Sequence, residues 1–305
     1  MQSIPNTSSI NNYLKSGIFK NKHIILTGST GTIGSEVLSK FLKCGSIIVA
    51  FYNKREPYFP ELSSYIKSKK LFFIQLDFSK IDTKITDKFK EAMTYLKGIL
   101  DILIFCHGKF FQGDMRTAKT PNFDNNMNIN VRANFHFLSL AVPFLKITKG
   151  NVVMISSIEA KIVEKGNFLH ALGKTMINSL VQNSALELAS FGIRVNAVAP
   201  SFVEGGFRKE AMTEEKNEKY LKQMKGFHLL NKNINSGEEV ADVVLFLASN
   251  EAGFMTGEIV NIDCGFGLNH DLSFQFQEPF QQQYNQNIEN ANMINFNNIN
   301  NINFI

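Results

Sequence analysis

A histidine and a lysine lie four residues apart in the stretch FLHALGK, residues 168–174. Residues with this spacing share one face of a helix, so His170 and Lys174 are expected to point to the same side. Ser157 ends the apolar stretch NVVMISS thirteen residues before His170. Imidazole changes its charge near neutral pH, which makes it a common proton carrier. The position of His170 is therefore expected to carry the chemistry of the protein.

The elements that must hold these residues alternate along the chain. Short β-branched apolar runs are separated by longer amphipathic stretches, and uninterrupted apolar runs are typical of parallel strands that are buried on both faces. Alternating strands and helices predict an α/β fold, a single domain with a doubly wound parallel sheet of the Rossmann type. The predicted strands cover residues 23–28, 46–52, 71–77, 101–108, 151–157, 193–200 and 257–263.

The first predicted strand leads into a glycine-rich loop, TGSTGTIG, residues 27–34. Gly28 would allow a tight turn, Gly31 would let the backbone approach a pyrophosphate, and Gly34 would let the next helix pack closely on the strand. The free N–H groups at the start of that helix favour a bound phosphate. The loop predicts a dinucleotide site.

Together with other motifs, this loop resembles that of the short-chain dehydrogenase/reductase family, in the group of 3-oxoacyl carrier-protein reductases. The similarity spans about residues 18–268. LDF places Asp77 where the family has an adenine-contacting acid, and NINVRANFHF places Asn130 at the catalytic asparagine. The stretches ALELASFGIRVNAVAP and SGEEVADVVLFLASNEAGFMTGEIVNID are close to the family's wording. The resemblance implies the Rossmann-type fold and a nicotinamide cofactor.

The residues after the second strand bear on which nicotinamide cofactor binds. NAD-preferring relatives would carry an acid there, whereas this chain has Tyr52 and Asn53 followed by Lys54 and Arg55. The missing carboxylate and the two cations favour the 2′-phosphate of NADP(H) over NAD(H). The alternative is that Lys54 and Arg55 only begin a solvated helix. The full set of cofactor-binding residues implied by the resemblance is Gly28, Ser29, Gly31, Ile33, Gly34, Tyr52, Asn53, Lys54, Arg55, Asp77, Phe78, Gly108, Lys174, Pro200 and Val203.

The resemblance assigns the catalytic roles to Asn130, Ser157, Lys174 and the residue four before the lysine. The family has tyrosine there as the proton carrier, and this chain has His170. A nearby lysine charge lowers a tyrosine pKa toward neutrality, but it pushes histidine further into its neutral form. Imidazole is also shorter than phenol by about 2 Å, and a misplacement of about 1 Å can cost on the order of a hundredfold in rate.

Further departures are expected on the nicotinamide side of the site. The family's Asn-Asn-Ala-Gly after the fourth strand is FCHG here, in which only Gly108 survives, and Ser201 and Gly205 replace a glycine and a threonine after NAVAP. A metal site formed by Cys106, His107 and His170 is disfavoured, because these residues lack local ligand spacing. We expect no metal.

These departures predict an NADP(H)-binding protein whose hydride transfer is weak or lost and which serves as an accessory or structural subunit. The alternative is an active NADP-dependent carbonyl reductase, acting on 3-oxoacyl groups or ketones, that uses His170 for proton transfer. A third hypothesis is a cofactor-sensing module, in which bound cofactor changes the affinity for a partner. Homo-oligomers built through the helices of Asn130 and His170 are also expected.

The two ends of the chain differ in composition from its centre. Residues 1–22 form an N-terminal extension without Asp, Glu or Arg, and residues 269–305 form an Asn/Gln-rich tail without Lys or Arg, on either side of a predicted domain at 23–268. The tail is either disordered or, because Phe276, Phe280, Tyr284 and Ile288 recur every four residues, a segment that docks on a protein partner.

Bulk properties exclude several classes of protein. The net charge of +5 is spread without Lys/Arg runs, which disfavours a nucleic-acid partner, and no apolar run reaches the ~18 residues that span a membrane. Three scattered cysteines fit a reducing compartment. The cytoplasm and, because the acid-free N-terminus weakly resembles a transit peptide, the mitochondrial matrix remain open.

Overall fold

A computed structural model of the chain describes residues 13, 16–56, 58–79, 82–111, 113–205, 218, 222, 227–230 and 236–268. The fold built by these residues is one seven-stranded parallel sheet with helices on both faces. The predicted fold class is confirmed.

The sheet has the strand order β3-β2-β1-β4-β5-β6-β7, and every pair of neighbours is parallel. All seven predicted strands are present, most of them a few residues shorter than predicted, because the sequence pattern continues into loops that leave the sheet. The strands are β1 His23–Thr27, β2 Ile47–Tyr52, β3 Leu71–Gln75, β4 Ile102–Phe105, β5 Asn151–Ile155, β6 Arg194–Pro200 and β7 Ile259–Ile262.

The helices cover both faces of this sheet and enclose two apolar cores. Helical periodicity predicts one apolar face of Ile33, Val37, Leu38, Phe41 and Leu42 in the first helix, and all but Ile33, which is half-buried, are buried there. Gly45 follows the end of this helix with a φ of +83°. The helices are α1 Thr32–Lys43, α2 Leu62–Lys67, α3 Asp82–Tyr95, α4 Thr120–Met127, α5 Ala133–Thr148, α6 Phe168–Leu188 and α7 Gly237–Ala248. No helix among the described residues is long and apolar enough to cross a membrane.

Part of the predicted N-terminal extension packs on the sheet domain. Phe19 is buried edge-on against Phe41 of α1, and the Tyr13 hydroxyl donates to Glu251 at 3.3 Å. The division of the chain at residues 22 and 268 stays a prediction, and the tail at 269–305 lies outside the described residues.

The strand order reverses its direction of winding between β1 and β4, which lie side by side. In open α/β sheets the crevice beyond the carboxyl ends of the strands at such a switch point is the usual ligand site. The loops that follow β1, β4 and β5 meet at this edge, and they carry the glycine loop, the FCHG stretch and Ser157.

Candidate active site

The glycine loop after β1 is fixed by backbone contacts. Gly28 has a φ of +67°, and a Cβ on it would lie 2.5 Å from the backbone nitrogen of His107, at the end of β4. A Cβ on Gly34 would overlap the carbonyl oxygen of Gly28. By contrast, a Cβ on Gly31 would meet only that oxygen, at an ordinary 3.5 Å, so the space in front of Gly31 is open.

A dinucleotide fits this loop. The open face of Gly31 adjoins the start of α1, Thr32–Lys43, whose first N–H groups have no partners within the helix. Such N–H groups and the positive end of the helix dipole suit a pyrophosphate. Ile33 lies in that first turn.

The loop is tied to the end of β2 by Ser29. Its backbone N–H and its hydroxyl both donate to the carbonyl of Phe51, each at 3.0 Å. Tyr52 donates from its hydroxyl to Glu56 at 3.0 Å. Asn53, Lys54 and Arg55 are exposed, and the cations of Lys54 and Arg55 form no ion pair within the part of the chain that the structure describes. Two exposed cations therefore lie beside the end of β2.

Asp77 and Phe78 follow β3, and their side chains make different contacts. The Asp77 carboxylate accepts hydrogen bonds from the backbone N–H and the hydroxyl of Ser79, at 2.9 and 2.7 Å. The Phe78 ring is buried and stacks on the ring of His107, with centroids 3.8 Å apart and planes 8° apart. Any cofactor contact from Phe78 would therefore come from its backbone.

His107, one of the unexpected residues after β4, points into the core. Its Nδ1 lies 2.7 Å from the Thr27 hydroxyl, and Phe105 contacts its ring edge-on. Burial and, to a smaller extent, the nearby Lys174 charge lower the pKa of His107 to about 3, against the opposing effect of a hydrogen bond with the Ile129 backbone. The ring is therefore neutral at physiological pH, and it lines the same polar space as Asn130 and Lys174.

Asn130 lies in a π-helical turn, Asn128–Arg132, inserted between α4 and α5. Such turns re-aim side chains and often occur at functional sites. The Asn130 amide holds Lys109 in two directions: Oδ1 accepts from the Lys109 N–H at 2.8 Å, and Nδ2 donates to the Lys109 carbonyl at 2.9 Å. A Cβ on Gly108 would lie 3.1 Å from the same Oδ1. Asn130 therefore shapes the loop after β4.

Two further asparagines extend this arrangement, and we call Asn126, Asn130 and Asn134 the asparagine ladder. Asn130 Nδ2 donates to Asn126 Oδ1 at 2.6 Å, and Asn134 Nδ2 donates to the Asn130 carbonyl at 2.7 Å. All three are at most 3% exposed. The sequence analysis missed Asn126 and Asn134; their four-residue spacing along a helix was the signal that could have found them.

His170 and Lys174 lie in the first two turns of α6. The His170 ring is 8% exposed and its centroid is 5.0 Å from that of Phe110. Lys174 Nζ donates to the carbonyl of Ile155, at the end of β5, at 2.8 Å. Burial lowers the pKa of Lys174 to about 8, and Cys106 and Glu159 partly oppose this shift. The lysine is thus fixed at the switch-point edge of the sheet.

Ser157 lies at the end of β5, as predicted, and begins the short helical turn Ile158–Ala160. Its Oγ accepts a hydrogen bond from the Glu159 N–H at 3.2 Å, which leaves the hydroxyl proton to donate elsewhere. Burial raises the pKa of the Cys106 thiol to about 12, so this cysteine remains protonated beside Lys174.

The structure thus brings Asn130 and Lys174 together with His107. All three line one narrow polar space, together with Phe105, Asn134, Met154, Ile155 and Ile177. Among the described residues, no group of three or more His, Cys, Asp or Glu side chains could hold a metal ion.

The loop after β6 reaches back to the start of α1. Pro200 ends the strand, Ser201 donates its N–H to Ile262 of β7 at 2.9 Å, and Val203 is half-buried. Gly205 has a φ of +78°, and a Cβ there would lie 3.8 Å from the Thr32 hydroxyl. Most of the segment 201–235, where the resemblance implies a substrate lid, is outside the described residues.

Comparison with known proteins decides the family. Residues 28–267 match the family model described as enoyl-(acyl carrier protein) reductase. The chain belongs to the short-chain dehydrogenase/reductase family. This is a family of oxidoreductases that use a nicotinamide cofactor, and the residues of the glycine loop fit such a group.

The chain is similar to oxidoreductases whose names indicate different substrates. It is 31% identical to an uncharacterized oxidoreductase of Thermotoga maritima over 81% of this chain and 98% of that protein. It is 29% identical to the 3-oxoacyl-acyl-carrier-protein reductase FabG of the same organism, over 80% of this chain and 97% of FabG. The structure of the aldohexose dehydrogenase of Thermoplasma acidophilum matches with a TM-score of 0.73 at 22% identity, over 82% and 96% of the two chains, which supports the fold.

Proposed function

We propose that this protein binds NADP(H) and that its hydride transfer is weak or lost. The observation that carries the proposal is His170, which occupies the helical position four before Lys174 where the family resemblance expects the proton-carrying tyrosine. The retained glycine loop, Lys54 and Arg55 support cofactor binding, and the histidine argues against efficient turnover.

The chain's own residues would hold the cofactor along the switch-point edge. Gly28, Gly31 and Gly34 admit the pyrophosphate at the start of α1, and the exposed Lys54 and Arg55 are available to a 2′-phosphate. Lys174, held by the Ile155 carbonyl, would bind the nicotinamide ribose. The bound cofactor would supply the hydride chemistry.

His170 is a poor substitute for tyrosine as the proton donor. Imidazole is shorter than phenol by about 2 Å, and errors of about 1 Å can cost about a hundredfold in rate. The ring is buried and packed near Phe110, which restricts the swing that would make up the distance.

An accessory or structural role follows from weak turnover together with the composition of the tail, residues 269–305. Its aromatic residues at four-residue spacing suit docking on a protein partner, and homo-oligomers through α5 and α6 are part of the proposal. We place the protein in the cytoplasm or the mitochondrial matrix.

A specific observation favours the second candidate, an active NADP-dependent reductase of 3-oxoacyl groups or ketones. Asn130 and Lys174 are both anchored by hydrogen bonds and line the same polar space at the switch-point edge. The proton carrier is thus the main departure that would have to be tolerated, with His170 or a water bound to it serving in its place.

The test compares wild type, His170→Tyr and His136→Tyr for NADPH binding and for NADPH oxidation with a panel of ketones and 3-oxoacyl thioesters. His136→Tyr is the control, because His136 lies on α5 and contacts Thr86 of α3. We expect micromolar or tighter NADPH binding, little wild-type turnover, and a gain of about tenfold or more in kcat only for His170→Tyr.

Wild-type turnover at about 10 s⁻¹, an ordinary enzyme rate, would overturn the proposal and support the active reductase. Absence of NADPH binding would contradict both candidates. Copurification of partners with the full chain and with a chain ending at residue 268 tests the docking role of the tail.

A further inference from the structure

Asn126 joins the two helical segments that carry the predicted catalytic residues. Its Nδ2 donates to the carbonyl of Leu169 at 2.5 Å, and its Oδ1 accepts from Asn130 Nδ2 at 2.6 Å. Leu169 directly precedes His170 on α6, and Asn130 lies in the π-helical turn. One fully buried amide therefore bonds to both segments at once.

The contact surface on α6 is shaped for this amide. A Cβ on Gly173 would lie 2.8 Å from Asn126 Oδ1 and 3.2 Å from its Nδ2, which no real side chain tolerates without displacing the amide. Gly173 directly precedes Lys174. Asn126 therefore touches α6 one residue before His170 and one residue before Lys174.

We propose that Asn126 is a positioning residue that sets the distance between the Asn130 turn and the His170–Lys174 face of α6. This proposal rests on the proposed function only because it treats this face of α6 as part of the cofactor and proton-transfer site. Neither neighbouring segment can shift along the other without breaking a buried hydrogen bond, and an unmade buried bond costs more than a made one contributes.

The alternative for Asn126 is simple space filling between two helices. An apolar side chain of similar size would fill the same space but would remove two hydrogen bonds. The Asn130 amide would lose its acceptor at residue 126, and the Leu169 carbonyl would lose its donor there. Asn126→Leu therefore separates packing from hydrogen bonding. Gly173→Ala is the complementary variant, because it displaces the amide while preserving its chemistry.

The experiment records the ring signals of His170 in wild type, Asn126→Leu, Gly173→Ala and Asn183→Leu by NMR over a pH titration, with the His170→Gln spectrum for assignment. Asn183 is the matched control, since it is an exposed asparagine on α6 whose side-chain amide donates to Ser179. Thermal unfolding of each variant reports its stability separately.

We expect Asn126→Leu and Gly173→Ala to shift the His170 titration midpoint by about half a pH unit or more, because the ring moves relative to Phe110 and its burial changes. The Asn183→Leu midpoint should match wild type. In the His170→Tyr background, Asn126→Leu should lower kcat about tenfold or more while KM changes less than about twofold.

An unchanged His170 midpoint in both variants, with stability lowered, would overturn the proposal and leave Asn126 as a packing residue. Should Asn126→Leu fail to fold, Gly173→Ala alone decides the question. Rapid wild-type turnover would contradict the proposed function but not this inference, and kcat would then be compared without the His170→Tyr change.

Discussion

The two sides of the switch-point edge are built by different means. The glycine loop after β1 is constrained by its own backbone: Gly28 abuts the end of β4, and Gly34 abuts the Gly28 carbonyl. The opposite side, around α4 to α6, is constrained by side-chain amides of the asparagine ladder. The backbone contacts at Gly28 and Gly34 exclude any side chain at these two positions. The hydrogen bonds of the asparagine ladder instead require amide side chains.

This difference predicts how well each side tolerates substitution. A side chain at Gly28 or Gly34 would force main-chain movement at the sheet edge, so the glycine loop keeps its residues. Side chains on the other side can be exchanged in sets when their hydrogen bonds are satisfied again. Gly173 and Asn126 form one such set, since the absence of a Cβ at residue 173 creates the room that the amide fills.

The largest effect that can break this comparison is expected at Gly34. Gly34→Ala should lower the free energy of unfolding by about 3 kcal/mol or more, because the new methyl overlaps the Gly28 carbonyl. Gly31→Ala is the control: with a φ of −74° and open space it should cost less than about 1 kcal/mol. Urea unfolding measures both, and equal losses would refute a backbone-limited loop.

The pH dependence of stability, through the buried Lys174, tests the side that is constrained by side-chain amides. The folded-state pKa is about 8, against 10.5 in the unfolded chain, so between these values the unfolded state holds more protons and stability rises with pH. The wild type should gain up to about 3 kcal/mol over this window relative to Lys174→Met. Parallel unfolding curves for the two proteins between pH 7 and 10 would contradict the buried charge.

His107 lies between the two sides, with its backbone against Gly28 and its ring against Phe78. Its pKa is about 3 when folded and 6.5 when unfolded, so its contribution to stability is present above pH 6.5 and is lost as the pH falls. His107→Leu should remove a loss of about 2 kcal/mol between pH 6.5 and 5. A difference between the two proteins that does not vary with pH would mean that the ring is solvated.

The smallest effect is expected beside β2, outside both constrained sides. Replacing Lys54 and Arg55 by serine should weaken NADPH binding about tenfold, leave NADH binding unchanged and alter stability by less than about 0.5 kcal/mol. The exposed Lys67 at the end of α2 provides the control, Lys67→Ser. Equal weakening of NADPH and NADH would show that the two cations do not read a 2′-phosphate.

Much of the fold and part of the site could be read from local sequence. The strands were predictable because continuous apolar runs signal burial on both faces, and α1 because Val37, Leu38, Phe41 and Leu42 recur with helical period. Ser157 and Lys174 were predicted as site residues because their spacing carries the family resemblance. The fixed distance between Asn126 and Leu169 was not predictable, since the two residues are 43 positions apart.

The sequence by itself determined the Rossmann-type sheet, the glycine loop and the presence of His170 one helical turn before Lys174, because these features depend on periodicity and spacing within one segment. Only the tertiary structure decided that the His107 ring turns into the core and that Asn126 ties α4 to α6. Such contacts join distant segments, and burial makes each partner's hydrogen bonds depend on all the others.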